Sequence, residues 1–528
     1  MSGLFRQSMA WLHTWVGLLL GWLLYFMFIT GSAGYLDTEI DRWMNPELPA
    51  SQRSLPAAQL IQHALGHLEI HAPGAERWFI SLPLSRNDPY PRVFWSGAQG
   101  EGVQPSGDRW LDAGSGEVLS GRDTAGGQTL YRMHWKLHYL PEAVADWAVG
   151  IATLFMLVAL VTGVIVHKKI FADFFTFRPN KGQRSWLDAH NLVSVISLPF
   201  QLMITYSGLI FMMFVYLPLI ISAWYGPSEE NRQVFFDELF SAPALVGASG
   251  RPAPLTDLGP VIGATQQRWI DNPLASLEIH NPGDANARIV VRGDFAAGPL
   301  RAADMLVFDG VTGELLAEQP AQTSQAKAFR DLMLGLHEGL FADPLLRSFY
   351  VFLGLLGAAM IATGLVLWTV KRRQRDDHFG LRLVERLNVA TLIGLPLAIA
   401  GYFWANRLLP LAINQRAEWE VHCLFLVWLL AFIHASLRPP SAVWREQSWA
   451  AALLFALLPA VNALTTSRHL GQSLAARDWV MAGFDLGVLS LGAGFALLAM
   501  HLAKRSRRVK RAQPAVPSAD SSCQQTSN

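Results

Sequence analysis

The chain contains little cysteine and little charge. Its 528 residues include two cysteines, and Asp, Glu, Lys and Arg together make up 16%, whereas a soluble domain usually carries about 25%. Cys423 lies in an apolar run and Cys523 lies near the C-terminus. Two separated thiols do not support a disulfide framework, a zinc site or an iron–sulfur cluster, because each of these needs grouped cysteines. Any redox cofactor must therefore be held by other side chains.

Nucleotide-binding motifs are also missing from the sequence. No dinucleotide fingerprint follows a strand, and no P-loop is present. The glycine-rich pieces GLLGAA and LGAGF lie within apolar runs, where small residues serve helix packing. The sequence therefore indicates neither an ATPase nor an NAD(P)H domain, and nothing in it points to a nucleic-acid partner.

Long apolar runs make up much of the chain. Hydrophobic residues account for 51% and there are 19 tryptophans, a residue type that gathers at membrane interfaces. A transmembrane helix needs roughly 20 apolar residues. Eight runs are long enough, at 11–34, 145–167, 191–222, 349–370, 388–410, 419–437, 449–466 and 480–502. The predicted fold class is an α-helical polytopic membrane protein. The first run is too long for a cleaved signal peptide, and no clear cleavage motif precedes Asp37.

Basic residues mark every second loop. They follow the spans numbered two, four, six and eight, as Lys168, Lys169, Arg178, Lys181, Arg184, Lys371, Arg372, Arg373, Arg375, Arg438, Arg445 and the run 504–511. Basic loops face the cytoplasm, so both termini are predicted to be cytoplasmic, in a bacterial inner membrane. The long segments 36–144 and 223–348 are then periplasmic. Alternating stretches such as 288–292 predict that each forms a small α+β domain.

An internal repeat relates the two halves of residues 1–375. LHTWVGLLLGWLLYFMFITGS in span one resembles AHNLVSVISLPFQLMITYSGL in span three, so that His13 precedes Gly31 by the same spacing as His190 precedes Gly208. LDAGSGEVL and FDGVTGELL repeat a β-hairpin turn with glycine in the left-handed conformation. The predicted organisation is a first span (1–35), a periplasmic domain (36–144), spans two and three (145–222), a second periplasmic domain (223–348), span four (349–375), a four-span extension without a repeat (376–503) and a basic, disordered tail (504–528).

Six histidines lie near the ends of the repeated spans. His13, His190 and His167 form a predicted layer at the cytoplasmic face, and His134, His138 and His337 form one at the periplasmic face. A histidine at a membrane boundary is costly unless it has a partner, so it suggests function. Haem iron takes axial imidazole, and a haem plane fits between facing helices. By the repeat, His13 pairs with His190 and His138 with His337.

Two further histidines leave the pairing open. His134 precedes His138 by one turn, on the same face if the helix extends that far. His167 has Trp368 as its counterpart in the repeat. Either could replace a symmetric partner. The rival cofactor is a transition metal ion held by histidine clusters, although no acidic or thiolate group stands beside His13.

Other histidines give weaker indications of a binding site. His422, His434 and His501, with Asp485, suggest a further haem or quinol site in the extension, and packing is the simpler interpretation. His63, His67 and His71 recur every four residues, a spacing that could bind metal on a helix and that also suits a solvated face.

The first span, the LH and TG pairs of spans two and four, and the two turns resemble the PepSY-associated transmembrane-helix family over about residues 5–375. This resemblance implies two b-type haems in a four-helix core, two periplasmic PepSY-like domains and reduction of ferric siderophore, as in ferrioxamine and pyoverdine reductases. The ligand role would then fall on His13, His190, His138 and His337, followed by His134 and His167.

The expected function is transmembrane electron transfer that reduces periplasmic ferric siderophore and releases Fe(II). The expected partners are the ferric siderophore, an unidentified cytoplasmic or quinol electron donor, and periplasmic iron-binding or export components. The alternatives are a non-redox membrane protein that binds peptides or modulates a protease, and a metal or haem transporter.

Overall fold

A computed structural model describes residues 3–49, 55–84, 86, 89–98, 104–167, 174, 176–226, 228–231, 233, 246–269, 272–322, 324–373 and 378–512. The chain forms two compact units, Met1–Arg375 and Asp376–Asn528. Cys523, the predicted disordered tail beyond residue 512 and the basic residues Lys168, Lys169 and Arg375 lie outside the described residues.

The described part of the first unit contains ten helices and seven strands. The helices are Gly3–Gly34 (α1), Asp37–Met44 (α2), Ala57–His71 (α3), Gly126–Met133 (α4), Glu142–Val166 (α5), Gln183–Phe211 (α6), Met213–Trp224 (α7), Leu258–Arg268 (α8), Gln325–Glu338 (α9) and Pro344–Arg372 (α10). The strands are Arg77–Ser81 (β1), Arg92–Ser96 (β2), Ser106–Trp110 (β3), Leu274–His280 (β4), Arg288–Gly293 (β5), Met305–Asp309 (β6) and Leu315–Gln319 (β7).

In the described part of the second unit there are six helices. They are Phe379–Leu392 (α11), Gly394–Leu408 (α12), Arg416–Leu437 (α13), Pro440–Thr465 (α14), Leu470–Ala475 (α15) and Trp479–Ala512 (α16).

Eight helical segments are long and apolar enough to cross a membrane, which confirms a multi-pass membrane protein. They are Leu4–Gly34, Glu142–Val166, Gln183–Phe211, Pro344–Arg372, Phe379–Leu408, Arg416–Leu437, Ala442–Thr465 and Trp479–Arg505. The third ends at Phe211, earlier than the apolar run suggests, because Met212 separates α6 from α7, which starts as a new helix at Met213. Apolar composition alone does not reveal such a break.

Helices α1, α5, α6 and α10 form the core of the first unit. α1 packs on α5 and α10, and α6 packs on α10. Small residues allow these close approaches. A side chain at Gly357 would collide with Phe28 of α1, and one at Gly21 would lie 2.9 Å from Leu365 of α10.

One antiparallel sheet joins the two segments between the spans. Its strand order is β3-β2-β1-β4-β5-β6-β7, so β1 of the first segment pairs with β4 of the second, from Arg77 opposite His280 to Ser81 opposite Ser276. The sequence predicts a separate small domain in each segment, whereas the two segments share one sheet through this junction. Without it, β1 and β4 would be edge strands with unpaired backbone groups.

The two repeated turns have the expected geometry. Gly116 and Gly313 each have a φ of +74°. The N–H of Asp112 donates to the carbonyl of Glu117, and the N–H of Asp309 donates to that of Glu314, at 2.7 and 2.8 Å. A residue other than glycine at either position would be strained. The prediction of a hairpin turn with a left-handed glycine is confirmed in both copies.

A network of buried polar side chains occupies the second unit. Arg416 and Glu420 of α13 form an ion pair at 2.5 Å, and both side chains are fully buried. Arg407 of α12 donates to Asn462 of α14 at 2.9 Å, and Asn462 donates to Asp485 of α16 at 3.2 Å. The positive charges of Arg407 and Arg416 balance the negative charges of Glu420 and Asp485. Such pairing is needed because an unpaired charge in a low-dielectric interior is costly.

Candidate cofactor sites between paired histidines

The first histidine pair lies between α1 and α6. The ring centres of His13 and His190 are 6.3 Å apart, with the ring planes inclined by 65°. Both rings occupy the beginnings of long helices that the repeat relates to each other. The structure therefore brings together the pair that the repeat predicts for the cytoplasmic layer.

The second pair joins His134 and His337. Their ring centres are 6.1 Å apart. His337 lies in the last turn of α9, which ends at Gly339 in the left-handed conformation, and His134 directly follows α4. Each thus stands at the end of a short helix that precedes a membrane span.

The expected pairing of His138 with His337 is therefore corrected to His134 with His337. The helix does not extend from His134 to His138, because the chain turns after α4 and α5 begins only at Glu142, after Pro141. The ring of His138 lies against Tyr139, with centres 4.6 Å apart. The shared Leu-His dipeptides at 137–138 and 336–337 align in sequence, but they do not occupy equivalent places in the fold.

All four paired rings are held in the same way by a neighbouring helix. In each case the imidazole bonds the carbonyl three residues before a Ser–Gly or Thr–Gly dipeptide, and in His13, His190 and His134 it does so through Nδ1. The carbonyls belong to Ala159 for His13 (2.9 Å), Met360 for His190 (2.9 Å), Met27 for His134 (2.7 Å) and Ile204 for His337. The dipeptides are Thr162–Gly163, Thr363–Gly364, Thr30–Gly31 and Ser207–Gly208. We call each such arrangement a cradle.

The cradle hydroxyls fix the tautomer of the rings. Thr162 donates its proton to the carbonyl of Val158 at 2.7 Å, so its oxygen can accept from Nδ1 of His13 at 3.3 Å. Ser207 donates to Met203 at 2.7 Å and can accept from Nδ1 of His337 at 2.9 Å. Carbonyl and hydroxyl acceptors require Nδ1 to carry the proton, which leaves Nε2 unprotonated and able to bind a metal.

The cradle glycines make room for the rings. A Cβ at Gly31 would lie 2.6 Å from Nδ1 of His134, and Cβ atoms at Gly163, Gly208 and Gly364 would each lie 3.2 Å from Cε1 of the ring they face. Sequence reasoning missed these residues as parts of the site. The available signal was the recurrence of a Ser–Gly or Thr–Gly dipeptide in all four spans.

Burial keeps the second pair neutral. Desolvation lowers the pKa of His134, and desolvation together with the neighbouring His134 lowers the pKa of His337 to about 3. Neutral imidazole is the form that binds metal. Tyr35 donates its hydroxyl to the carbonyl of His337 at 2.8 Å, and Phe211 lies 5.1 Å from its ring. These aromatic side chains help to hold the end of α9 in place.

His167 occupies a different place from the paired rings. It caps α5 and lines a cavity of 430 Å³ that also contains His13 and His190. The structure thus places it beside the first pair, while the ring facing His13 belongs to His190. His167 is therefore a component of the cavity wall, along with its repeat counterpart Trp368.

Several other histidines have local partners. His434 bonds Glu446 at 3.0 Å, and the ring of His422 lies 5.4 Å from that of Trp419. On α3, the rings of His67 and His71 are 4.3 Å apart, and His63 packs against Gly116. Among the residues that the structure describes, no group of three or more His, Cys, Asp and Glu side chains is placed to hold a metal ion.

Comparison with known proteins identifies a family. Residues 10–371 match the family described as PepSY-associated TM region. An uncharacterized protein of Pseudomonas aeruginosa is 25% identical over 304 residues, which cover 54% of this chain and 73% of that protein. The family match covers all four cradles and both histidine pairs.

Proposed function

Starting from the finding that the chain belongs to the family of the PepSY-associated TM region, we propose that it reduces ferric siderophore by transmembrane electron transfer. His13 with His190, and His134 with His337, would each hold one b-type haem. His138 and His167 are not among the proposed ligands, because the ring of His138 lies against Tyr139 and the ring that faces His13 belongs to His190.

The spacing of the paired rings carries this proposal. Two imidazoles that bind one metal ion from opposite sides, each through a bond of about 2 Å, have their ring centres about 6 Å apart. The observed separations are 6.3 and 6.1 Å. Two ligands per site suit axial haem ligation, in which the macrocycle supplies the other four donors.

The chain's own residues prepare these sites. Each cradle carbonyl orients a ring and increases the basicity of its Nε2, as outer partners of metal ligands do. The surrounding helices exclude water, which affects the reduction potential of a bound metal. Bound haem would supply a one-electron couple.

Reduction would release the iron because siderophores bind Fe(III) through hard oxygen donors, which hold the softer Fe(II) less tightly. The basic loops support a bacterial inner membrane with both termini in the cytoplasm. The donor would then be a cytoplasmic protein or a membrane quinol, because the sequence contains no nicotinamide fingerprint. Periplasmic iron-binding or export components would take up the product.

Spectroscopy of the purified full-length chain tests the proposal. With full haem supply, we expect red protein with a reducible Soret band and two haems per chain. After chemical reduction, a ferric siderophore should reoxidise the protein, and Fe(II) should appear in a ferrous-chelator assay. Colourless protein would instead favour a peptide-binding or transport role. Red protein that stays reduced through a panel of ferric siderophores would contradict the reductase assignment.

A further inference from the structure

The cavity around His13 and His190 has one apolar part and one cationic end. Its wall includes Gly17, Gly21, Gly163 and Gly364, and of these Gly17 faces open space. A Cβ at Gly17 would meet no atom within 4 Å. The cavity therefore has space beside the paired rings for a flat apolar group.

The cationic end is formed where α10 finishes. Lys371 and Arg372 line the cavity there, together with Trp368 and with His167 at the end of α5. Arg372 lies over the ring of Trp368, with its guanidinium carbon 4.0 Å from the ring centre. None of the described residues lining this cavity is Asp or Glu, so nothing in the wall neutralises the two cations.

The cavity wall also contains an unsatisfied hydrogen-bond donor, the indole of Trp368. Its Nε1 is buried and has no hydrogen-bond partner among the described residues. A buried donor without a partner destabilises the fold, because it has lost its hydrogen bonds to water. An anionic acceptor in the cavity would satisfy this donor and would also balance Lys371 and Arg372.

We propose that Lys371, Arg372 and Trp368, with His167, bind the carboxylates of the cofactor that His13 and His190 ligate. This inference rests on the proposed function and adds the ligand's chemical class: a flat, apolar macrocycle with two carboxylates at one edge. His167, which is not a proposed ligand of the iron, would help to bind these carboxylates. Charge-assisted hydrogen bonds of this kind are roughly twice as strong as neutral ones.

The test compares haem with its dimethyl ester, which has the same ring and no carboxylate charge. Full-length apo-protein in detergent is titrated with each compound, and binding is followed by the Soret band. A His134→Ala background leaves one site to titrate. We expect the wild-type cavity to bind the diacid at least about tenfold more tightly, since the ester cannot form the charge-assisted hydrogen bonds to Lys371 and Arg372.

The double variant Lys371→Gln/Arg372→Gln should lose most of that preference. Arg373→Gln is the control for charge at this end of α10, because it removes one positive charge from the next residue, which does not line the cavity. Potentiometric titration of chains with both histidine pairs intact gives a second readout. The double variant should lower the potential of one haem, since uncompensated carboxylates favour Fe(III), and Arg373→Gln should not.

Equal binding of haem and ester by the wild type, or a double variant that behaves like Arg373→Gln in both measurements, would overturn the carboxylate site while leaving axial ligation intact. Protein that takes up neither compound, in the presence or absence of His134, would overturn both proposals. The two failures are therefore distinguishable.

Discussion

Each paired histidine is positioned by a glycine and a carbonyl of the helix beside it, and His13, His190 and His337 are also positioned by a hydroxyl. The glycine sets how close the ring approaches the helix, and the hydroxyl and carbonyl set which nitrogen carries the proton. These constraints act before any metal binds, so a preorganised ligand loses little freedom on binding. Single substitutions should therefore affect one site at a time.

Gly31→Ala should displace the ring of His134, because the added Cβ would lie 2.6 Å from Nδ1. The ring is pinned by Met27 and cannot move without breaking that hydrogen bond. We expect loss of about one haem of two, measured as haem per chain. Gly487→Ala in α16, where an added Cβ would meet no atom within 4 Å, is the control, and it should retain both. Full occupancy in Gly31→Ala would contradict the cradle.

His134→Ala and His138→Ala distinguish the two candidate partners of His337. Removing His134 should abolish the six-coordinate spectrum of one haem, since its ring lies 6.1 Å from that of His337. His138→Ala should leave both haem spectra in place. The reverse result would restore the pairing that the sequence repeat suggests.

At the level of elements, the junction between β1 and β4 depends on one carboxylate. Glu278 of β4 bonds Arg292 at 2.6 Å and lies 2.8 Å from Arg77 of β1 and 3.0 Å from His280. Burial alone would raise the pKa of Glu278, but the hydrogen bonds from His280 and Arg292 and the charges of Arg292 and Arg77 lower it to about 2.

The sheet should therefore lose stability in acid. A carboxylate whose folded pKa is depressed contributes stability above its ordinary pKa, and this stability is lost as the pH falls through that value toward 2. Thermal unfolding of the full chain, followed by tryptophan fluorescence, should show a midpoint that drops between about pH 5 and about pH 2. Glu278→Gln should flatten that dependence, whereas Glu318→Gln, exposed on β7, should not.

The buried ion pair of the second unit predicts a larger effect. Glu420→Gln leaves Arg416 charged and buried without a carboxylate. Breaking a buried pair in this way typically costs about 3–5 kcal/mol. We expect a clear loss of thermal stability in detergent, with Glu418→Gln, exposed on the same helix, as the control. Equal stability of the two variants would show that the network contributes little.

At the scale of the whole molecule, the basic loops predict the orientation of the chain in the membrane. Truncated fusions ending near Ser106 and Gly250 should be active with alkaline phosphatase and inactive with a cytoplasmic reporter. The reason is the excess of Lys and Arg in the alternate loops. Cytoplasmic activity at either position would place both histidine layers on the wrong faces.

Sequence patterns predict the elements better than they predict their long-range contacts. The eight spans and the two glycine turns follow from local composition and spacing, and the pairing of His13 with His190 follows from the repeat. The partner of His337 could not be obtained in this way, because it depends on a turn between α4 and α5. The β1–β4 junction likewise joins strands far apart in sequence, and no local pattern specifies that pairing.

Both histidine pairs and the β1–β4 junction join corresponding parts of the two repeats. Two identical copies of a single repeat would make the same contacts around a twofold axis, as isologous dimers do. Such a half-length chain would hold no complete site alone, because each site takes one histidine from each copy. Fusion makes assembly independent of concentration. Fusion also allows the two repeats to differ in sequence. In the cavity around His13 and His190, one repeat contributes His167 where the other contributes Trp368.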